Sequence, residues 1–190
     1  MTLPTTMSGI ALTGYGGLDC LEWSDDLPIP TIGPDDVLIR VAAAGVNNTD
    51  INTRIGWYSS SVQSGTTAEG GTEGVGLEEG GSGGWTGDVG FPRIQGADLV
   101  GQIVAVGPGG DASSIGQKVT CDPYFRDPQD ETGLESSAFL GSECNGSFAQ
   151  FTVVAAENVH QLPDGTGLAD EAIVTLPCSG GTAMNMLLMA

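Results

Sequence analysis

A chain of 190 residues with 39% hydrophobic side chains can bury one ordinary core, which allows one domain, or one domain and a fragment of another. Its 24 Asp and Glu against 5 Lys and Arg give a formal net charge of -19, which excludes nucleic acid and anionic membrane surfaces as partners, because both require clustered basic side chains. The acid excess reads either as a solvated surface suited to salty surroundings or as a patch that docks a basic partner. Cys20, Cys121, Cys144 and Cys178 form no C-x-x-C, and none lies near the lone His160, so neither a zinc knot nor a disulfide framework is expected. With no basic-then-apolar leader at the start and no apolar run long enough to span a bilayer, the expectation is a cytoplasmic protein with reduced thiols.

Met7 to Glu22 reads as one or two short strands broken at Gly14 and Gly16-Gly17, and Asp25 to Asp35, with Pro28, Pro30 and Pro34, reads as a loop. Val37 to Ala44 is β-branched and almost continuously apolar, which predicts a buried strand ending at the polar bend Asn47-Asn-Thr-Asp50. Asn48 or Thr49 is positioned to cap a short helix through about Ile55. Between residues 59 and 90 the composition changes: 11 of 32 residues are Gly, five are acidic and none is Lys or Arg. So few large apolar groups cannot offset the ordering entropy of so many glycines, which predicts a flexible surface insertion, either a lid over a neighbouring site or a length-tolerant loop. Strands are then predicted at about Leu99–Val106, Lys118–Cys121 and Gly146–Val154, the last with Ala149, Phe151 and Val153 on one face. A short helix is predicted within Gly167–Pro177, and another from Ser179 or Thr182 through Ala190, with Met184, Leu187 and Leu188 at helical spacing and no partner within the chain.

Five segments in order carry a family resemblance: Asp36–Asp50, Ile94–Gly107, Gly116–Val119, Gly146–Val159 and Leu176–Ala183. Together they resemble the N-terminal, GroES-like catalytic domain of the medium-chain dehydrogenase/reductase family, which holds zinc alcohol dehydrogenases and quinone oxidoreductases. The resemblance implies a mainly β chain with short helices, a partly open GroES-like β-barrel over residues 1–165. It also implies a linker and the first helix of an otherwise absent cofactor-binding domain over residues 166–190. Gly70–Gly74 and Gly80–Gly84 are glycine-rich, yet no apolar strand precedes them and no helical pattern follows, so they are not read as a phosphate cradle.

The same resemblance places Asn47, Ala97 and Cys178 where zinc relatives have Cys, His and Cys, with Asp98 in the place of the family's Glu. An alanine cannot bind metal and an amide carbonyl is a poor zinc ligand, so no zinc is expected there. Nor is it expected at a structural lobe, since Thr120–Cys144 holds only two cysteines. Asn47 and Thr49 are then the candidate catalytic donors, Asn48 and Thr182 the candidate cofactor contacts, and Cys178 a small filler rather than a nucleophile. Asp50 is read as a tie within the bend. The implied function is part of an NADPH- or NADH-dependent, zinc-independent oxidoreductase of a carbonyl, enone or quinone, inactive without its other domain. The alternative is a non-catalytic GroES-like interaction module. Self-association or pairing through the exposed C-terminal helix fits either.

Overall fold

A computed structural model describes residues 3–63, 65, 67–75, 82–85, 87–126 and 137–189. Strands β1 (Thr6–Leu12) and β2 (Leu21–Pro28) form a hairpin, and β3 (Asp36–Gly45) leads into helix α1 (Asn48–Ile55). A short helix α2 (Ala68–Glu73) and strand β4 (Arg93–Ile94) precede β5 (Asp98–Val106) and β6 (Lys118–Cys121). Strands β7 (Tyr124–Phe125), β8 (Ala138–Phe139), β9 (Phe151–Ala155) and β10 (Val159–Gln161) follow, then helices α3 (Asp170–Ile173) and α4 (Pro177–Met189). The architecture is mainly β with open sheets and short helices.

The principal sheet is antiparallel in the order β10-β6-β5-β3-β9, with β3 and β5 at its centre because their apolar runs can be covered on both faces. Val37, Ile39, Leu99, Ile103, Val119, Leu140 and Val154 make one core, and Met7, Leu38, Ile94 and Phe151 a second on the other side. Consecutive β3 residues therefore serve opposite cores, as the period of two requires. A smaller sheet, β2-β1-β4, closes over the second core, with Ala149 and Val153 packed beside Phe151. Among the described residues no helix is long and apolar enough to cross a membrane.

Three local expectations need correction. The predicted loop from Asp25 is strand as far as Pro28, because β2 pairs only with β1: its acidic side chains face solvent, and Pro28 sits at a strand end where its missing N–H costs no ladder bond. Helix α1 is preceded by Asn47 in extended conformation (φ -117°, ψ 164°), so Asn47 rather than Asn48 or Thr49 holds the capping position. The strand predicted from Gly146 begins only at Phe151, because Gly146, Ser147 and Phe148 donate instead to the carbonyls of Ile94, Gly96 and Gln95.

The insertion holds more order than its composition suggests, although residues 64, 66, 76–81 and 86 of it lie outside the described residues. Thr67 caps α2 by accepting from the Gly70 N–H at 3.0 Å. The buried Arg54 guanidinium then ties that helix down, donating to the carbonyls of Gly71 and Gly16 at 2.5 Å each. At the far end Arg93 donates through Nε to the carbonyl of Val89 at 2.9 Å.

Candidate active site

The bend after β3 is built by reciprocal ties. The Asn47 N–H donates to Asp50 Oδ2 at 2.8 Å, and Asp50 Oδ1 accepts from the Gly96 N–H at 3.1 Å. Gly96 can approach this closely because it is glycine at φ +106°. The Gln95 side chain completes the lock by donating to the Asp50 carbonyl at 2.8 Å. Asp50 is 5% exposed, and burial, more than the nearby charge of Asp98, pushes its carboxyl up to about 6 against its three backbone hydrogen bonds.

That shift has a measurable consequence. A carboxyl raised in the folded state contributes stability that is full below its unfolded value of 3.8 and lost as pH rises through about 6. The contribution is on the order of 3 kcal/mol across that window. Relative to Asp50→Asn, the native chain should therefore gain melting temperature between pH 6 and pH 4. Parallel curves for the two proteins would contradict it.

Asp98 joins the bend to the C-terminal helix. It is 1% exposed, its Oδ2 accepts from Asn47 Nδ2 at 3.0 Å, and its Oδ1 accepts from the Cys178 N–H at 2.8 Å. Cys178 follows Pro177, the first residue of α4, so Asp98 satisfies one of the free amides of that helix start from a distant strand. Burial raises the Asp98 carboxyl above the ordinary range, and the bonds from Asn47 and Cys178 oppose that rise. One N–H of the Asn47 amide is thus committed to Asp98, and the second has no acceptor among the described residues. Thr49 Oγ1 accepts from the Tyr58 hydroxyl at 3.1 Å, which leaves the Thr49 O–H to donate elsewhere.

The candidate residues fall into two groups. Asn47 and Thr49 share the bend, and Asn48 begins α1 with its side chain exposed. Thr182 lies apart on α4, where its hydroxyl donates to the Cys178 carbonyl at 2.6 Å. Cys178 and Thr182 line a cavity of about 490 Å³ whose other walls include Tyr124, Phe139 and Leu176. Asn47 and Thr49 are outside that lining: Asn47 is linked to it by Asp98, which accepts from the lining Cys178, and Thr49 by Tyr58, whose ring meets Trp85 on the lining Phe139. The part of Tyr58 had no signal in the sequence, because a tyrosine three residues beyond a helix end has no motif to mark it.

The donor set does not fit a catalytic zinc ion. Ala97 is fully buried and offers no ligand, and the Asn47 amide nitrogen is directed at Asp98. Burial, with the charges of Asp98 and Asp50, pushes the Cys178 thiol up to about 11, away from the thiolate that nucleophilic chemistry requires.

A family profile described as the alcohol dehydrogenase GroES-like domain matches residues 33–164, over two thirds of the chain and every strand of the principal sheet. The chain belongs to this family. Its structure is similar to that of a provisionally assigned alcohol dehydrogenase from Sinorhizobium meliloti, 35% identical with TM-score 0.74 over 92% of this chain and 44% of that one. Its sequence is similar to 2-methylene-furan-3-one reductase of Solanum lycopersicum, 24% identical over 93% of this chain and 36% of the relative. It is also similar to L-threonine 3-dehydrogenase of Symbiobacterium thermophilum, 29% identical over 70% and 33% respectively. These relatives are oxidoreductases of the medium-chain dehydrogenase/reductase type, and the chain spans about a third of the length of the curated ones.

Proposed function

We propose that this chain is the catalytic-domain portion of an NAD(P)H-dependent, zinc-independent oxidoreductase that acts on a carbonyl, enone or quinone. The observation that carries the reading is the polar bend itself: the second N–H of Asn47 and the O–H of Thr49 find no acceptor among the described residues, and both groups are held by fixed partners. Preorganised donors of this kind stabilise negative charge that develops on a substrate oxygen, which is the work a Lewis acid does elsewhere. The nicotinamide, when bound, supplies the hydride to the carbonyl or alkene carbon. This reading assigns Asn48, exposed at the start of α1, and Thr182 on α4 as this chain's contacts to it, with the main grip assigned to a dinucleotide-binding part outside these residues.

Residues 166–190 fit a linker and the first helix of that part. Met184, Met186, Leu187 and Leu188 on α4 are each at least 58% exposed, as a helix awaiting a covering layer would be. The same stripe supports the second reading, an interaction module that pairs with another chain. The free thiols of Cys20, Cys121, Cys144 and Cys178 favour a reducing, cytoplasmic setting.

The test is NADPH and NADH oxidation by the full-length enzyme against a panel of ketones, enones and quinones, before and after exhaustive chelation. The expected result is turnover of at least one member, unchanged after chelation. Turnover that vanishes on chelation and returns with added zinc would overturn the zinc-independent reading, and no turnover of any member would favour the interaction module.

A further inference from the structure

The hydroxyl of Thr49 is not held by the bend that contains it. Its partner, Tyr58, comes after the left-handed cap Gly56 (φ 76°) that ends α1, and the Tyr58 ring lies among other rings: Trp57 at 5.5 Å between centroids and Trp85 at 5.9 Å. Trp85 belongs to the glycine-rich insertion. It stacks on Phe139 at 5.4 Å with 11° between planes, and its backbone N–H donates to Ser142 Oγ at 3.3 Å. Phe139 in turn lines the cavity that holds Cys178 and Thr182. A continuous set of ring contacts therefore runs from the cavity wall, through the insertion, to the proposed donor.

The insertion is also anchored more firmly than a passive loop requires. Two of the five basic side chains are spent on it, Arg54 on the carbonyl of Gly71 and Arg93 on that of Val89. Between them, the Gly83 N–H donates to the Tyr15 hydroxyl at 2.9 Å. Burial lowers the proton affinity of both guanidinium groups, which is a cost accepted for the sake of fixing backbone carbonyls. These ties set where Trp85 sits, although Trp85 itself is 48% exposed.

We propose that Tyr58 is a positioning residue for Thr49, and that Trp85 of the insertion, by its ring contact, holds Tyr58 in place beside the proposed donor. Accepting a hydrogen bond from Tyr58 occupies one lone pair of Thr49 Oγ1 and turns the Thr49 O–H toward the remaining side, where it can donate to a substrate oxygen. The proposal rests on the reading of Thr49 as a donor to substrate, and the test separates the two.

A double-mutant cycle in the full-length enzyme uses Tyr58→Phe and Thr49→Val, read as kcat and KM separately. Tyr58→Phe should lower kcat about three- to tenfold with KM within about twofold, as expected for one orienting hydrogen bond. Thr49→Val should lower kcat further, and adding Tyr58→Phe to it should cost nothing more. Trp85→Ala should reproduce the Tyr58→Phe loss. Should Trp85→Ala fail to fold, Trp85→Leu replaces it. Independent, multiplying losses from Tyr58→Phe and Thr49→Val overturn the positioning role, as does native kcat in Tyr58→Phe while Thr49→Val is impaired; in both cases the Thr49 reading survives. Native kcat in Thr49→Val removes both.

Discussion

Gly96→Ala should destabilise the domain by more than about 4 kcal/mol, a fall in melting temperature of roughly 8–16 °C for a chain of this size. Two independent causes act at this position. The backbone stands at φ +106°, where side chains other than glycine are strained. A methyl group there would also meet Phe148 Cδ1 at 2.6 Å and the Phe148 backbone nitrogen at 2.9 Å, and the second cannot move without breaking its bond to the Gln95 carbonyl. The surroundings offer no slack: a methyl on Gly141 would lie 2.6 Å from the Gly96 nitrogen, and one on Gly146 2.7 Å from the Gln95 carbonyl oxygen. This close backbone packing sets the height of Asp98 and presents the Gly96 N–H to Asp50, so loss of the fold and loss of the site should coincide. Gly14→Ala is the control, since no atom lies within 4 Å of a methyl placed there and its effect should stay within about 0.5 kcal/mol. Equal melting temperatures for the two variants, by calorimetry at one pH, would contradict the packing argument.

The strands that build the central sheet were legible because each advertises itself locally. β3 and β5 are long apolar runs bounded by Pro-Asp or Gly-Pro turns, and the burial of Val37, Leu38, Ile39, Leu99 and Val100 follows from that pattern. The two-residue strands Arg93–Ile94, Tyr124–Phe125 and Ala138–Phe139 carried no such signal, because so short a segment is defined by its partner rather than by its own period. Helix α2 was hidden by glycine: its stability comes from the Thr67 cap and from Arg54 reaching across 17 positions, neither of which a propensity scale registers.

The candidate site was legible in part. The polar bend at the end of a buried strand stood out in the sequence, the family resemblance singled out Asn47 and Thr49 within it, and Asp50 was read as a tie within the bend, which its bonds to the backbone of Asn47 and Gly96 bear out. What sequence order could not supply was the long-range wiring. Asp98 bridges residues 51 and 80 positions away, and Tyr58 meets Trp85 across most of the insertion. Both links depend on the sheet and the glycine packing having already formed.

The central claim is that two hydrogen-bond donors, rather than a metal ion, grip the substrate oxygen. Its most direct test is the Asn47→Ala, Thr49→Val double variant of the full-length enzyme, assayed by NADPH oxidation on whichever carbonyl, enone or quinone it reduces best. Removing Asn47 from Asp98 should cost about 1–2 kcal/mol of stability, so melting temperature is followed in parallel to keep the assay on folded protein. Removal of a single preorganised donor commonly lowers kcat by a hundredfold or more, and with both donors gone kcat/KM should fall by at least about that factor. Turnover undiminished in the folded double variant would contradict the account.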